Sequence, residues 1–396
     1  MPKQQELPRN ISEWRSRAAQ KGVKANSLHT AKLTSASTIK EEQYLRLHVL
    51  WKESGIKEFD WELAGLDEWK SDAKEMLAGY ESWKFYCDSL LADRIPESTF
   101  ALAQVAQRHA ANVESDEMNP SVAVTPQQGP PLRRSSRLQP IPLSFEGQTA
   151  APDNSTPKTP KTPSYDTDDE EDDNESRIEL QDTPASLASP GDPQVRLQMY
   201  SATEDEQIVN TALINYLEAL IAHSGLPLRW SLHRVPLKAN FGNKSYEART
   251  DGYLQTTRGN ARDERRDKKI RALVEAKAVL RDLKGASIRM QEAAQTVAWL
   301  KTHPDHQGLL NQRGRRVHIS QNRHEIFIII AEYDDKYLSY LKNETSGQNT
   351  FMKMHEFGPW STQDLNHMRH LTPILVAIML RAHADYEAES KSAGSQ

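Results

Sequence analysis

The sequence predicts an α/β fold, in which a mixed β-sheet flanked by helices occupies the C-terminal half of the chain. Three observations lead to this prediction. Residues 201–390 alternate between apolar patterns of helical and of strand period, in the order α-β-β-β-α-β. Residues 1–115 carry aromatic side chains at helical spacing, which favours a small α-helical domain. Residues 116–200 keep no apolar period and are rich in Pro, Ser, Thr and Asp, which is typical of a disordered linker.

The composition of the 396-residue chain narrows the classes of protein to consider. Hydrophobic residues make up 37% of the chain and the mean hydropathy is -0.73, which is low for a uniformly packed protein. Cys87 is the single cysteine, so a disulfide framework is excluded and a reducing, intracellular compartment is expected. The N-terminus lacks an apolar signal region, and the longest apolar run, 371–380, is too short to cross a bilayer. We therefore expect a soluble protein without a membrane partner.

The N-terminal helical domain carries no recognisable chemical motif. Five of the eight tryptophans lie in it, and an aromatic stripe at helical spacing is more often a core than a ligand surface. Helices are expected around Trp14, over 38–54 and 61–92, and from Pro96 to about 112. The sequence assigns no role to this domain. We expect it to dock either a protein partner or DNA, and it contains no helix-turn-helix or zinc-ligand spacing that would favour DNA.

The linker carries signals of regulation. Arg133-Arg134-Ser135-Ser136-Arg137 is a basic cluster, and it is either a nuclear-import signal or only a solubilising patch. Proline-directed phosphorylation would suit five of the Ser or Thr residues that precede a proline in this exposed segment. These residues are Thr156, Thr159, Thr162, Thr183 and Ser189. Localisation to the nucleus is therefore an open expectation.

The chemistry-bearing stretch of the chain runs from 246 to 280. It contains two runs rich in β-forming residues, YEARTDGYL and IRALVEAKAVL, with charged side chains inside them. Glu275 and Lys277 project from one face of the second strand because side chains alternate along a strand. If the two runs pair as a hairpin, Asp251 comes alongside Glu275. Two adjacent carboxylates repel and are costly to desolvate unless a divalent cation lies between them, so the sequence predicts a metal site.

The alternative is structural. Glu-x-Lys by itself is a weak signal, because single charges in strands commonly face solvent at an edge. Its context favours a site: Gly252 follows the aspartate, and the Glu-Ala-Lys triplet interrupts an apolar run. A helix carrying Gln291 and Gln295 follows directly, and these two side chains share one helical face.

The segments RTDGYL, LVEAKA and RMQEAAQTVAWL together resemble the PD-(D/E)XK nuclease superfamily, the restriction-endonuclease-like fold, and its divergent fungal branch in particular. The resemblance covers about residues 200–390. It departs at Thr250, where the superfamily pattern has proline. The resemblance implies that Asp251, Glu275, Lys277 and Gln291 are catalytic residues. It also implies that Mg²⁺, or Mn²⁺ in its place, binds to Asp251, Glu275 and the carbonyl of Ala276, while Lys277 positions the attacking water.

The sequence contains a third acidic candidate for the metal site. Glu206 lies in the first turn of an amphipathic helix predicted over 202–223. The resemblance implies that an acidic residue on this helix sometimes joins the metal site. We favour the simpler interpretation, in which Glu206 interacts with the positive end of its own helix.

A charged loop connects the two β-forming runs. Between 258 and 269 it holds three acidic and six basic residues, the latter being Arg258, Arg262, Arg265, Arg266, Lys268 and Lys269. A charged turn is usually a solvated face, but beside a metal site it can also bind phosphates. Residues 201–396 carry 27 Lys and Arg against 23 Asp and Glu, which suits a nucleic-acid partner, either DNA or RNA.

The remaining elements of the C-terminal half follow from apolar period and capping signals. Strands are expected over 228–237, 325–333 and 336–341, and a helix over 288–303, with two further helices beginning after Ser361 and at Pro373.

Two functions stay open from the sequence. The first is a metal-dependent nuclease that hydrolyses phosphodiester bonds through the Asp and Glu-x-Lys site. The second is a catalytically silent nuclease-fold module that binds nucleic acid or protein and is regulated through the linker. The intact Asp, Glu and Lys favour the first, because a disused site has no physical reason to keep these charges in an apolar strand.

Overall fold

A computed structural model describes residues 6–23, 27–92, 94–111, 202–203, 205–257, 269–304, 314–344 and 349–393. Within these ranges the strands are β1 Val49–Ser54, β2 Leu228–Ser231, β3 Pro236–Phe241, β4 Lys244–Arg249, β5 Gly252–Thr256, β6 Ala272–Lys277, β7 Arg315–Asn322, β8 Glu325–Glu332 and β9 Met352–Ser361. The α-helices are α1 Ile11–Gln20, α2 Glu41–Arg46, α3 Trp61–Ala64, α4 Lys70–Ala78, α5 Glu81–Ser89, α6 Ala101–Ala111, α7 Glu206–Ile221, α8 Arg281–Thr302, α9 Asp335–Leu341 and α10 Leu365–Ala393. Short 3₁₀ turns cover Ser27–His29, Ala36–Thr38, Ile56–Glu58 and Asp67–Trp69.

Seven of these strands form one mixed sheet in the order β1-β9-β8-β7-β6-β5-β2. The pairs β1–β9 and β6–β7 are parallel, and the other neighbours are antiparallel. Strands β3 and β4 form a separate antiparallel hairpin. The α/β class and the mixed sheet with helices are therefore confirmed.

Strand alternation divides the hydrophobic core between the two faces of the sheet. On β6, Val274 packs into the cluster with α7 and α10, whereas Leu273 packs into the cluster with α8 and the β3–β4 hairpin. Glu275 has the parity of Leu273, so its side chain lies on the α8 face. This parity decides which helix can reach the charged residues of β6.

The N-terminal part of the chain contributes a strand to this sheet. The helix expected over 38–54 is wrong in its second half: α2 ends at Arg46, His48 adopts a φ of 53°, and Val49–Ser54 forms β1 beside β9. Val49, Leu50 and Trp51 are buried, so burial against the sheet outweighed the helical spacing. The described residues of 1–114 and 189–396 form one compact unit, and the N-terminal residues contribute to the core clusters on both faces of the sheet, where we expected a helical bundle with a core of its own.

Several other expectations are corrected by turns and caps. The strand expected over 228–237 is divided into β2 and β3, and the run YEARTDGYL is divided into β4 and β5 at Thr250 and Asp251. The strand expected over 336–341 is helix α9, whose N-cap Asp334 accepts a hydrogen bond from the Tyr337 amide. Strands β7 and β9 were not predicted. The two helices expected near the C-terminus are one helix, α10, which continues through Pro373.

The remaining expectations fare as follows. The strand expected over 325–333 and the helices expected over 202–223 and 288–303 are confirmed as β8, α7 and α8, although α8 begins seven residues earlier, at Arg281. The expected linker, 116–200, lies outside the described residues. Among the helices that the structure does describe, none combines the length and the apolar character needed to traverse a bilayer.

If the N-terminal residues and the sheet are one folding unit, a core substitution in β1 should destabilise the whole protein. Trp51 is buried, and Trp51→Ala is expected to cost about 3–5 kcal/mol, as for other large-to-small core changes. A single urea transition, monitored by tryptophan fluorescence and far-ultraviolet circular dichroism, should shift as a whole. The exposed neighbour Lys52→Ala is the control and should leave the midpoint in place. Two separate transitions, with only one shifted, would contradict the single unit.

Candidate active site

The β5–β6 pairing brings the predicted acidic residues together. Gly252 pairs with Val274, and the Asp251 amide donates a hydrogen bond to the Val274 carbonyl at 3.1 Å. Because this pair is antiparallel, Asp251 lies one step outside β5 and beside Glu275. The structure thus places Asp251, Glu275 and Lys277 at one end of adjacent strands, as the hairpin hypothesis required.

Asp251 is held from three sides. Its Oδ1 accepts a hydrogen bond from Arg234 Nη2 at 2.6 Å, and its Oδ2 accepts one from the Ala276 amide at 3.0 Å. Its backbone carbonyl accepts a hydrogen bond from Asn210 Nδ2 at 3.0 Å. The amide and the carbonyl of one strand residue point toward the same neighbouring strand. The carbonyl of Ala276 is therefore directed toward the Asp251 side of β6, which is where the proposed ligand role needs it.

Glu275 is almost wholly buried, with 1% of its surface exposed. Its Oε1 accepts hydrogen bonds from Lys277 Nζ and Gln291 Nε2, both at 2.5 Å, and its Oε2 accepts one from Gln295 Nε2 at 2.6 Å. The two glutamines come from successive turns of α8, so the helix face predicted from the sequence does reach the site. Gln291 and Gln295 therefore both contact Glu275.

Burial governs the protonation of this pair. It raises the pKa of Glu275 from about 4.5 to about 8, against the opposing effect of the Lys277 ammonium and with a further increase from Asp251. For Lys277, burial lowers the pKa, but the Glu275 carboxylate outweighs it and the pKa is raised overall. Both groups therefore keep a proton to higher pH than usual. A divalent cation beside Glu275 would favour loss of the carboxyl proton.

Arg234 is a site residue that the sequence did not reveal. It lies in the loop between β2 and β3, and its guanidinium forms an ion pair with Asp251. The carboxylates of Asp251, Glu275 and Glu206 all raise the pKa of Arg234. Nothing in the sequence near position 234 marks it as functional. Only the pairing of Ser231 with Tyr253 brings this loop beside Asp251.

Gly252 allows the strands and α7 to approach closely beside the site. A Cβ at this position would lie 2.7 Å from the Ser231 carbonyl oxygen and 3.0 Å from Ile214 Cδ1. No side chain fits without displacing β2 or α7. The glycine after Asp251, which was a contextual signal in the sequence, thus has a packing role.

Glu206 is oriented into the site more than we expected. Asp205 caps α7 through a hydrogen bond from the Gln207 amide, so the helix end is served by the preceding residue. Glu206 Oε1 lies 3.5 Å from Lys277 Nζ instead. The carboxylate of Glu206 is half-exposed and faces the same ammonium group as Glu275.

Most of the basic loop lies outside the described residues. Arg258, Arg262, Arg265, Arg266 and Lys268 lie outside the described residues. Lys269 is described, and its Nζ pairs with Glu389 Oε2 of α10 at 3.1 Å. The same carboxylate also binds the buried Arg271. In this structure Lys269 therefore holds α10 against the start of β6.

The chemistry of the ligand set suits a hard cation. Asp251, Glu275 and the Ala276 carbonyl offer only oxygen ligands, which Mg²⁺ and Mn²⁺ prefer. Throughout the described ranges, three or more His, Cys, Asp or Glu residues never cluster closely enough to hold a metal ion. Mg²⁺ needs no such cluster, because it is commonly bound by one or two carboxylates with water and substrate phosphate. The carboxylate oxygens now bind Arg234, Lys277 and two glutamines, so a cation must replace some of these donors.

Comparison of the chain with protein-family models, curated proteins and solved structures finds no match. Function is therefore inferred from the chemistry of Asp251, Glu275, Lys277 and their neighbours.

The raised pKa of Glu275 predicts a pH dependence of stability in metal-free protein. From about pH 4.5 to pH 8 the folded state holds a proton that the unfolded state has released, so stability falls as pH rises through this window. Each unit of pKa difference corresponds to about 1.4 kcal/mol. Glu275→Gln removes the titration, and its free energy of unfolding should decline less between pH 5 and pH 9 than that of the parent.

Urea unfolding in the presence of EDTA measures this slope. Glu247→Gln, at an exposed carboxylate on β4, is the control and should keep the slope of the parent. Equal slopes in Glu275→Gln and the parent would show that Glu275 ionises normally in the folded state.

Proposed function

We propose that this protein is a metal-dependent nuclease that hydrolyses phosphodiester bonds in nucleic acid, with Mg²⁺ or Mn²⁺ as its ion. One observation carries the proposal. Asp251 and Glu275 are buried side by side at the ends of adjacent strands, with Lys277 Nζ 2.5 Å from the second carboxylate. Paired carboxylates beside one ammonium group are what binding of a divalent cation and activation of water require.

The order of elements around the site supports the resemblance to the PD-(D/E)XK superfamily. Helix α7 precedes the antiparallel strands β2, β5 and β6, and α8 then connects β6 to the parallel strand β7. The sequence predicted the same α-β-β-β-α-β pattern with 325–333, now β8, as its last strand. The structure adds the unpredicted strand β7 before β8, and the β3–β4 hairpin lies between β2 and β5. Asp251 precedes β5, Glu275 and Lys277 lie on β6, and Gln291 lies on α8.

Each residue has a distinct task in this mechanism. When bound, the divalent cation would offset charge on the phosphate and lower the pKa of its water. Asp251, Glu275 and the Ala276 carbonyl would hold the ion. In hydrolysis the attacking water would lose a proton to solvent as its oxygen bonds to phosphorus, the ester P–O bond would break, and the leaving oxygen would take a proton from solvent.

Lys277 is suited to orienting water rather than removing its proton. Its raised pKa keeps the side chain as an ammonium group, which can donate hydrogen bonds but cannot accept a proton. It therefore holds the attacking water in line with the phosphate and stabilises negative charge as it develops. Gln291 and Gln295 position the Glu275 carboxylate, since both donate to it from α8.

A second candidate function is favoured by one specific observation. The carboxylate oxygens of Asp251 and Glu275 accept hydrogen bonds from protein donors on four sides of the pair: Arg234, the Ala276 amide, Lys277 and the two glutamines of α8. A satisfied network of this kind can be purely structural. In that case the fold binds nucleic acid or protein without cleaving it.

A cleavage assay separates the two candidates. The substrates are single-stranded DNA, double-stranded DNA and structured RNA, each with Mg²⁺, with Mn²⁺ and with EDTA. We expect metal-dependent cleavage of at least one substrate. Asp251→Asn and Lys277→Ala should each lower the rate by about 10²-fold or more, as for loss of other transition-state contacts.

The matched control is Lys238→Ala, which removes one exposed ammonium group from β3 and should cleave like the parent. Cleavage that persists in Asp251→Asn would contradict the proposal. Binding of nucleic acid without cleavage, unaffected by metal, would favour the second candidate.

A further inference from the structure

We propose that Arg234 binds the scissile phosphate when substrate is present. Before metal and substrate bind, its guanidinium pairs with Asp251 instead. The inference rests on the proposed nuclease function and adds a residue that contacts the substrate. Arg234 forms or breaks no covalent bond in this role. Its guanidinium exchanges one anionic partner, the Asp251 carboxylate, for another, the non-bridging oxygens of a phosphodiester.

The guanidinium of Arg234 lies where a divalent cation would bind Asp251. Arg234 Nη2 lies 2.6 Å from Asp251 Oδ1, so a positive charge sits on the oxygen that a divalent cation would use. The carboxylates of Glu275 and Glu206 also act on this guanidinium. A cation bound between Asp251 and Glu275 would repel Arg234 at this distance. Metal binding therefore has to move the side chain of Arg234 away from Asp251.

The side chain of Arg234 has room to move away from Asp251. Arg234 is 48% exposed in its side chain, whereas Asp251 is only 8% exposed. Arg234 lies in a loop of four residues, 232–235, between the last residue of β2 and the first of β3. Among the described residues, Asp251 alone forms a hydrogen bond or ion pair with Arg234. The guanidinium can thus move toward solvent by rotation of its own side chain, without unfolding a strand.

A guanidinium group is also well suited to binding a phosphate. Arginine carries five N–H donors in a planar fork, and a single one of them bonds to Asp251 in the described structure. The fork matches two oxygens of a phosphate in a bidentate geometry, which an ammonium group cannot reproduce. A phosphate bound to the cation would lie next to the displaced guanidinium. The residue that neutralises Asp251 in the free protein is therefore available to bind the phosphate in the complex.

The proposal predicts opposite effects of one substitution on two measurements. Arg234→Ala removes the competing charge, so Mn²⁺ should bind about two- to fivefold more tightly, the effect of losing a half-exposed ion pair. Cleavage should nevertheless fall by about 10²-fold or more in kcat/KM, with a raised KM, because the phosphate loses its clamp. A residue that only stabilised the fold would not produce this combination.

The experiment uses the full chain in four forms: the parent, Arg234→Ala, Arg234→Lys and Arg229→Ala. Calorimetric titration with MnCl₂ in the absence of nucleic acid gives the metal affinity, and steady-state cleavage of an oligonucleotide gives KM and kcat. Arg234→Lys keeps the charge but loses the fork, so its Mn²⁺ affinity should match the parent while its KM stays raised. Arg229→Ala is the charge-matched control, because Arg229 is an exposed arginine on β2. It pairs with Gln255 of β5, which lies four residues, or roughly 13 Å by strand rise, from Asp251.

The measured KM, Mn²⁺ affinity and cleavage distinguish failure of the Arg234 role from failure of the proposed nuclease function. A parent that cleaves, together with an Arg234→Ala variant of parental KM or parental Mn²⁺ affinity, would overturn the role of Arg234 and leave the nuclease standing. A parent that neither binds Mn²⁺ nor cleaves would overturn the nuclease, and the phosphate role with it. If Arg234→Ala does not fold, the Arg234→Lys variant decides, since parental KM in that folded protein would also overturn the inference.

Discussion

The burial of the Glu275 carboxylate is the constraint on which the rest of the site depends. A carboxylate with 1% exposure is tolerated only with close hydrogen-bond donors. Here the donors come from Lys277 on the same strand and from Gln291 and Gln295 on α8. Because the donors lie on two different elements, the packing of α8 on the sheet must be accurate to a fraction of an ångström. Asp251 adds a second negative charge, which makes an additional cation favourable at this position.

A buried ion network fixes α8 where this constraint needs it. Arg281, at the start of α8, is 1% exposed, and its guanidinium lies 4.3 Å from the centre of the Phe327 ring. It donates hydrogen bonds to two of the strands beyond β6 and to its own helix, through Ser320 and Asn322 of β7, Glu356 of β9 and Glu292 of α8. Ser320 pairs with Glu275 across β6 and β7, and Glu292 follows Gln291 directly. Loss of Arg281 would leave the buried Glu292 without its ion pair, whereas Glu356 would keep Arg289. The network therefore ties the orientation of α8 to the stability of the sheet.

The sequence predicted those parts of the fold whose evidence is local. Charges inside the two β-forming runs located β5 and β6, and the alternation of side chains placed Asp251, Glu275 and Lys277 together. Strands β1, β7 and β9 were missed, because their burial depends on partners distant in the chain, as when Trp51 of β1 pairs with Met354 of β9. Arg234 was missed for the same reason. Its role follows from the register of β2 against β5, which no short-range pattern encodes.

The central claim is that Asp251 and Glu275 share one divalent cation, and a crystal structure with Mn²⁺ tests it most directly. Anomalous scattering should reveal one ion at about 2.0–2.3 Å from an oxygen of each carboxylate, within the range for hard cations. The Arg234 guanidinium should then have left Asp251 Oδ1. Crystals soaked in Mn²⁺ that show no anomalous peak at this position, with Arg234 still bound to Asp251, would contradict the account.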